Sequence, residues 1–327
     1  MIISQTPYRI SLFGGGTDFE DYYKFHGGEV IGTTIDKYCY VTLRDLPPFF
    51  KHKHRFIWSK IENVNKINQI KHPLLKSTLK YFKIKNGLEV HYDGDLPGNS
   101  GIGSSSSFCV GLINTIFSKY KKKISKEKLS DLSYFIENKL MKESVGRQDQ
   151  TWAAYGGFNH IKFTKKNVKV SKIILKENIK KEFFKNLVVF FTGKSRFSNI
   201  IEKDKQIKMN KKIELYHRIK DQVQICKRII NSHKKINDIG YLLDEYWDIK
   251  KQLSNLVSPR NIDEIYNIGK SSGALGGKLL GSGGSGFIMF YCEKKYQKKL
   301  IKSLSKLQRI SFNPTNQGSK IIFNNEK

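Results

Sequence analysis

Apolar and polar residues alternate with a period of two over several short runs in the first half of the chain, and this pattern predicts β-strands. The runs are Tyr8 to Phe13, Val30 to Thr34, Tyr38 to Leu43, Arg55 to Trp58 and Leu88 to Tyr92, with one poorly patterned stretch between Lys60 and Lys71. The apolar run Phe108 to Phe117 is long enough for a buried helix. From Lys126 to Met141, Leu129, Leu132, Ile136 and Leu140 recur at the three-and-four spacing of a second helix. Phe158 to Phe163 and Val168 to Leu175 read as a hairpin.

Beyond Asn186 the pattern changes. A strand is predicted over Leu187 to Phe191, then one long Lys-rich amphipathic helix from Asn199 to about Ile230 with no Gly or Pro in it. Helices over Tyr241 to Leu256 and Asn261 to Ser271, a glycine loop, a strand over Phe287 to Tyr291, a helix over Lys294 to Leu307 and a strand over Lys320 to Phe323 complete the reading. We expect two domains, 1–185 and 186–327, of α+β class, because the mixture lacks the regular strand-helix alternation of a doubly wound sheet.

Composition narrows the function. With 327 residues, 39% of them apolar, the chain can bury a real core. The net charge of +30 raises a nucleic-acid or membrane partner. However, the basic residues are fifty Lys and only nine Arg, spread among Ile and Asn rather than gathered in one block. That favours a solvated basic surface, with no nucleic acid and no membrane as partner. Cys39, Cys109, Cys226 and Cys292 are far apart, without a CxxC pair, so neither a zinc site nor a disulfide framework is expected. The opening MIISQTPYRISLF is not a basic stretch followed by a long apolar run, so a cytoplasmic location is expected.

Three segments are dense in glycine: Phe13-Gly14-Gly15-Gly16-Thr17-Asp18, Pro97-Gly98-Asn99-Ser100-Gly101-Ile102-Gly103-Ser104-Ser105-Ser106-Ser107, and Gly276 to Gly286. Where backbone amides must approach an anion, Cβ atoms are in the way, so a Gly/Ser run that opens a helix is a phosphate cradle. The second segment meets that condition. Walker A spacing is absent, and the GxGxxG of Gly281, Gly283 and Gly286 lies between a helix and a strand, the wrong order for a dinucleotide fold. Glu137 on the predicted helix and Asp149 twelve residues later, past a turn at Ser144 to Gly146, can point into one cleft. Arg9, Arg147 and Arg196 lie in or beside glycine-containing segments, as bidentate recognition of phosphate or carboxylate would use them.

In this order and spacing the segments resemble the GHMP kinase superfamily, the galactokinase, homoserine kinase and mevalonate kinase group, over essentially the whole chain. The second segment is similar to that family's PxxxGxGSSxx loop, and the third, with Gly281, Gly283 and Gly284, to its C-terminal glycine motif. The resemblance implies an N-terminal domain like ribosomal protein S5 and a C-terminal ferredoxin-like domain with the active site between them. It implies ATP and Mg²⁺ as cofactors. Pro97, Gly98 and Ser100 to Ser106 would hold the ATP phosphates, Glu137 and Ser105 the metal, Arg9 the transferring phosphoryl, and Asp149 the acceptor hydroxyl. Thr6 to Leu12 with Thr17-Asp18 resembles the galactokinase signature, but Gly15-Gly16 stand where galactokinases carry Glu-His, which leaves room for a larger sugar. Thr192 to Arg196 resembles the TGxxR segment of sugar 1-kinases that act on a heptose phosphate. The sugar-binding set implied is Gly15, Gly16, Thr17, Asp18, Arg147, Gly193, Lys194 and Arg196, and the partners are a sugar phosphate and Mg-ATP. The rival readings are a family member acting on a free sugar such as fucose, galactose or a uronic acid, and a basic nucleic-acid-binding protein.

Overall fold

The computed structural model describes residues 1–193, 198–232 and 235–325. The first half is built on one large sheet. β1 (Ile2–Phe13) and the 18-residue β2 (Gly28–Asp45) pair antiparallel along most of their length, with α1 (Glu20–His26) between them. β3 (His54–Ile57) and β4 (Ile61–Val64) form a short hairpin, α2 (Pro73–Tyr81) follows, and β5 (Leu88–Gly94) returns to lie between β2 and β3, parallel to β3. Then come α3 (Ser104–Lys119), α4 (Lys126–Tyr134), α5 (Gln148–Tyr155) and the hairpin β6 (Phe158–Phe163) and β7 (Val168–Lys172). The predicted strands at Val30 to Thr34 and Tyr38 to Leu43 are two halves of β2: the first pairs with β6 and the second with β5. α3 packs on β1 and β2 so closely that a Cβ on Gly111 would lie 2.9 Å from Thr6 Oγ1.

The second half comprises α6 (Glu177–Lys185), β8 (Leu187–Phe191), α7 (Ser198–Ile207), α8 (Ile213–Ser232), α9 (Asp238–Lys251), α10 (Arg260–Ser271), β9 (Ala274–Leu279), β10 (Phe287–Cys292), α11 (Lys294–Ser303) and β11 (Gln308–Ile310). Its sheet runs β11-β8-β10-β9. β10 is buried throughout, and its alternate residues serve two cores. Phe287, Met289 and Tyr291 join the core shared with the first sheet, while Ile288, Phe290 and Cys292 join a second core with Trp247, Tyr266 and Leu300. Period-two geometry in a strand covered on both faces explains the unbroken apolar run. The last strands, β12 (Pro314–Thr315) and β13 (Lys320–Asn324), pair with β2 and β1 of the first sheet.

Two expectations are corrected here. The single helix predicted from Asn199 to Ile230 is two, α7 and α8, with a tight turn at Asn210–Lys212 between them. The break lets Ile201 enter the second core while Tyr216, Ile219, Val223 and Cys226 enter the first, which one straight helix does not achieve. Gly276 and Gly277, expected in a loop, are strand residues of β9. A Cβ on Gly276 would sit 2.1 Å from Gly240 O of α9, so glycine there answers a helix-strand approach and not a turn.

Candidate active site

The second glycine segment ends at the start of α3. Gly101 and Gly103 have positive φ, +82° and +75°, and Gly103 caps the helix without any side chain closing its first turn. The first amides of α3 have no intrahelical partner and, with the helix's positive end, face a cavity of about 220 Å³ lined by Gly101, Gly103, Ser104, Ser105 and Ser106. Ser100 and Ile102 are buried beneath the loop and pin it: Ser100 O accepts from Phe287 N at 3.1 Å, and Ile102 O from Arg9 N at 3.1 Å. Pro97 O accepts from Ser100 Oγ at 2.5 Å. The third glycine segment supports the loop from below, since a Cβ on Gly281 would lie 2.5 Å from Gly101 Cα. Gly283 and Gly284 pack on Val257 instead, with Gly284 N donating to Val257 O at 2.8 Å.

Glu137 sits in a widened, π-helical turn over Phe135–Leu140 that continues α4, and it is fully buried. Such turns recur at functional sites. Its carboxylate accepts from Ser105 Oγ at 3.0 Å, Ser106 Oγ at 2.8 Å and Gln150 Nε2 at 2.6 Å. Burial pushes its pKa up to about 7, against the pull of those hydrogen bonds. Gln150 Oε1 is buried beside it and finds no partner among the described residues. An all-oxygen set of one carboxylate and two hydroxyls fits Mg²⁺, which keeps waters and shares its shell with phosphates, and the orphaned Gln150 oxygen is a further acceptor beside it. No three His, Cys, Asp or Glu side chains converge among the described residues, so the residues present fit a metal completed by phosphate oxygens and not a protein-only cage.

Across the cavity, Arg9 of β1 and Asp149 of α5 form a two-pronged ion pair: Nε donates to Oδ1 at 2.8 Å and Nη2 to Oδ2 at 2.7 Å. Arg9 Nη1 donates to Gly101 O at 2.5 Å, which ties the pair to the glycine loop before α3. Asp18 is fully buried and accepts from Gly16 N, Gln148 N and Gln148 Nε2 at 2.9 to 3.1 Å. Burial raises its pKa to about 6. Gly15 and Gly16 line the same cavity.

Not every expected residue joins them. Arg147 pairs with Asp131 and lies over the Tyr134 ring, 5.0 Å from its centroid, outside the cavity. Thr17 is buried and hydrogen-bonded to Gly14 O and Glu29 O, so it holds the first glycine turn. Gly193 has φ +119° with open space around it, and Lys194 and Arg196 lie outside the described residues.

Two family models match the chain, "GHMP kinases N terminal domain" over residues 68–157 and "GHMP kinases C terminal" over 225–310. A D-glycero-alpha-D-manno-heptose 7-phosphate kinase of Campylobacter jejuni is 30% identical over 320 residues, covering 94% of both chains. The chain belongs to the GHMP kinase family. A mevalonate kinase of Methanocaldococcus jannaschii is 28% identical over 76% of this chain and 77% of its own. The crystal structure of a D-glycero-D-manno-heptose 1-phosphate kinase from Bacteroides thetaiotaomicron superposes with a TM-score of 0.80 at 22% identity, covering 100% of both chains. As a GHMP kinase the protein is an ATP-dependent phosphotransferase with an alcohol as acceptor. The domain types that the resemblance implied are those of the family.

This GHMP kinase also carries a lysine wall that sequence reasoning missed. Lys278 of β9 is buried and donates to Ser11 O at 3.0 Å and Leu12 O at 2.9 Å, its ammonium 4.4 Å from the Tyr246 ring centroid. Lys250 of α9 is buried and donates to Leu279 O at 3.0 Å and Gly281 O at 2.7 Å. Lys205 of α7 pairs with Glu202 at 2.7 Å. All three line the cavity. Burial draws the Lys278 amine well below its ordinary range and the Lys250 amine down to about 7, with Lys205 adding to the latter shift. Lys278 was legible as the one lysine inside a glycine segment. Lys205 and Lys250 were not, among fifty lysines.

Proposed function

We propose that this kinase transfers the γ-phosphoryl of ATP to the anomeric C1 hydroxyl of D-glycero-D-manno-heptose 7-phosphate, giving the 1,7-bisphosphate for nucleotide-activated heptose used in surface polysaccharide. The observation that carries the reaction type is the Arg9–Asp149 pair held by Gly101 O against the open first turn of α3. In this reading the α3 amides and Gly101 to Ser106 cradle the phosphates, and Glu137 with Ser105 holds Mg²⁺. When bound, the metal neutralises phosphate charge and orients the donor. Arg9 offsets charge on the group in flight and fixes the Asp149 carboxylate. Asp149 accepts the proton of the acceptor hydroxyl as its oxygen bonds to the γ-phosphorus and the bond from that phosphorus to the β,γ-bridging oxygen breaks, releasing ADP.

The acceptor's identity rests on the 30% identity to the Campylobacter enzyme and on Gly15. A Cβ at Gly15 would meet only ordinary contacts, at 3.5 Å or more from Gln148, Tyr246 and Ser11. Asp18 and Gln148 border that space as candidate partners for sugar hydroxyls. A panel of heptose 7-phosphate, heptose, fucose, galactose and a uronic acid in an ADP-release assay tests the assignment, with ³¹P NMR locating the new ester. Preference for the phosphorylated heptose with an anomeric product is expected. Equal use of a free sugar would replace this reading by the free-sugar kinase.

A further inference from the structure

We propose that Lys250 is a second cation, beside Arg9, that binds the γ-phosphoryl group of ATP from the side of the third glycine loop. The inference rests on the reading that ATP lies along the Gly101 to Ser106 loop. An ammonium has three N–H donors, and those of Lys250 that are engaged go to Leu279 O and Gly281 O, leaving one for the cavity that the side chain lines. Its anchor places it: Gly281 touches Gly101, and Gly101 O holds Arg9 Nη1. Two cations hung from the carbonyls of touching residues command one small volume, at the head of the phosphate loop.

Charge balance points the same way. Arg9 is matched by Asp149 and Lys205 by Glu202, whereas the hydrogen-bond partners of Lys250 among the described residues are neutral carbonyls. A buried cation whose facing carboxylate, Glu202, is already paired with another lysine is unfavourable, and an arriving anion relieves it. The charged groups that face it are Arg9 from β1, Glu202 and Lys205 from α7, and Lys278 from β9. Because the free amine sits near neutrality, binding of the γ-phosphate draws a proton onto it. The lysine keeps that proton through transfer and acts by charge.

ADP lacks the γ-phosphate, so the ratio of ATP to ADP affinity isolates the contact. Calorimetric titration of the parent and Lys250→Met with Mg-ADP and Mg-ATP, without acceptor, should show ADP affinity within about twofold and ATP affinity lower by about ten- to a hundredfold in the variant. Turnover should fall by at least about tenfold while the acceptor KM holds. An unchanged ATP-to-ADP ratio overturns the proposal, as does a loss confined to the acceptor KM, which would assign Lys250 to the acceptor. Should the variant fail to fold, Lys250→Gln decides by the same comparison, and an unchanged ATP-to-ADP ratio in that variant overturns the proposal. A parent that binds neither nucleotide removes the ATP-site reading itself, and this inference with it.

Discussion

Replacing Asp149 by Asn keeps the side chain's shape and removes its charge. Arg9 then faces one acceptor oxygen and one NH₂ group, so of the two hydrogen bonds at 2.7 and 2.8 Å one survives and the other becomes a donor-donor contact. Loss of a hydrogen bond to a charged group is worth about 1.5 to 3 kcal/mol. The figure stays below the roughly 3 to 5 kcal/mol of a broken, fully buried pair because the Asp149 side chain is 23% exposed and Arg9 keeps Gly101 O. For a 327-residue chain unfolding with about 2.1 cal/mol/K per residue, this is a fall in melting temperature of roughly 2 to 4 °C. The catalytic loss is separate and larger: without a group to take the acceptor proton, kcat should drop about 10²- to 10⁴-fold. ATP affinity should hold or rise slightly, since a negative charge leaves the phosphate site while the α3 amides stay in place. Steady-state ADP release, calorimetry with Mg-ATP and thermal melts measure the three effects. A kcat within a few fold of the parent refutes the role of Asp149, and a parallel collapse of ATP affinity would show that the pair holds the loop rather than serving the transfer.

Three further outcomes are expected. Ser105→Tyr puts a ring over the open first turn of α3 and should abolish detectable Mg-ATP binding in a folded protein, checked by titration; normal affinity would move the phosphate site elsewhere. Gly15→Ala should leave the acceptor KM within about threefold, because its Cβ meets nothing closer than 3.5 Å, whereas Gly15→Leu should raise that KM by more than about tenfold without moving the KM for ATP. Glu137 carries a pKa raised from 4.5 to about 7, so between those values the folded chain holds a proton that the unfolded chain has released, and stability from this group is lost as pH rises through 7. Urea melts without nucleotide or divalent cation should therefore fall more steeply between pH 5 and 7 for the parent than for Glu137→Gln, by up to about 1.4 kcal/mol per pH unit; parallel slopes would refute the shift.

The open turn before α3 was legible because its segment combines glycines, no bulky side chain and an apolar helix directly behind it. Asp149 was legible with Glu137 as a member of a cleft and Arg9 as an arginine beside a glycine segment, but the direct pairing of Arg9 with Asp149 was not, since nothing local in either segment encodes the other. Arg147 misled because it stands directly after Gly146 and two residues before Asp149. Two steps around a helix turn a side chain by about 200°, and Arg147 emerges on the Asp131 side. The break between α7 and α8 left no mark because no Gly or Pro makes it; it is imposed by two cores that each claim part of the apolar stripe. β9 was hidden for the opposite reason, since glycines that admit α9 read locally as turn residues. Lys250 and Lys205 carry no local signal at all, as burial distinguishes them from other lysines and burial is a tertiary property.

The geometry of the cavity is set by four distant stretches of chain. Arg9 lies on β1 opposite Thr34 of β2, and its amide donates to Ile102 O on the other side at 3.1 Å, so its backbone cannot shift without breaking the ladder or the contact with the loop before α3. Asp149 is in the first turn of α5, which is seated on β2 closely enough that a Cβ on Gly32 would lie 2.8 Å from the Trp152 ring. A Cβ on Gly281 would lie 2.5 Å from Gly101 Cα, so the loop before α3 and the β9-β10 turn approach more closely than a side chain at Gly281 would allow. Transfer chemistry that relies on position tolerates errors of well under about 1 Å. In this protein that tolerance is met by close backbone packing around the cavity, so the glycines of the loop before α3 and the glycines that let the two halves approach belong to the same mechanical requirement.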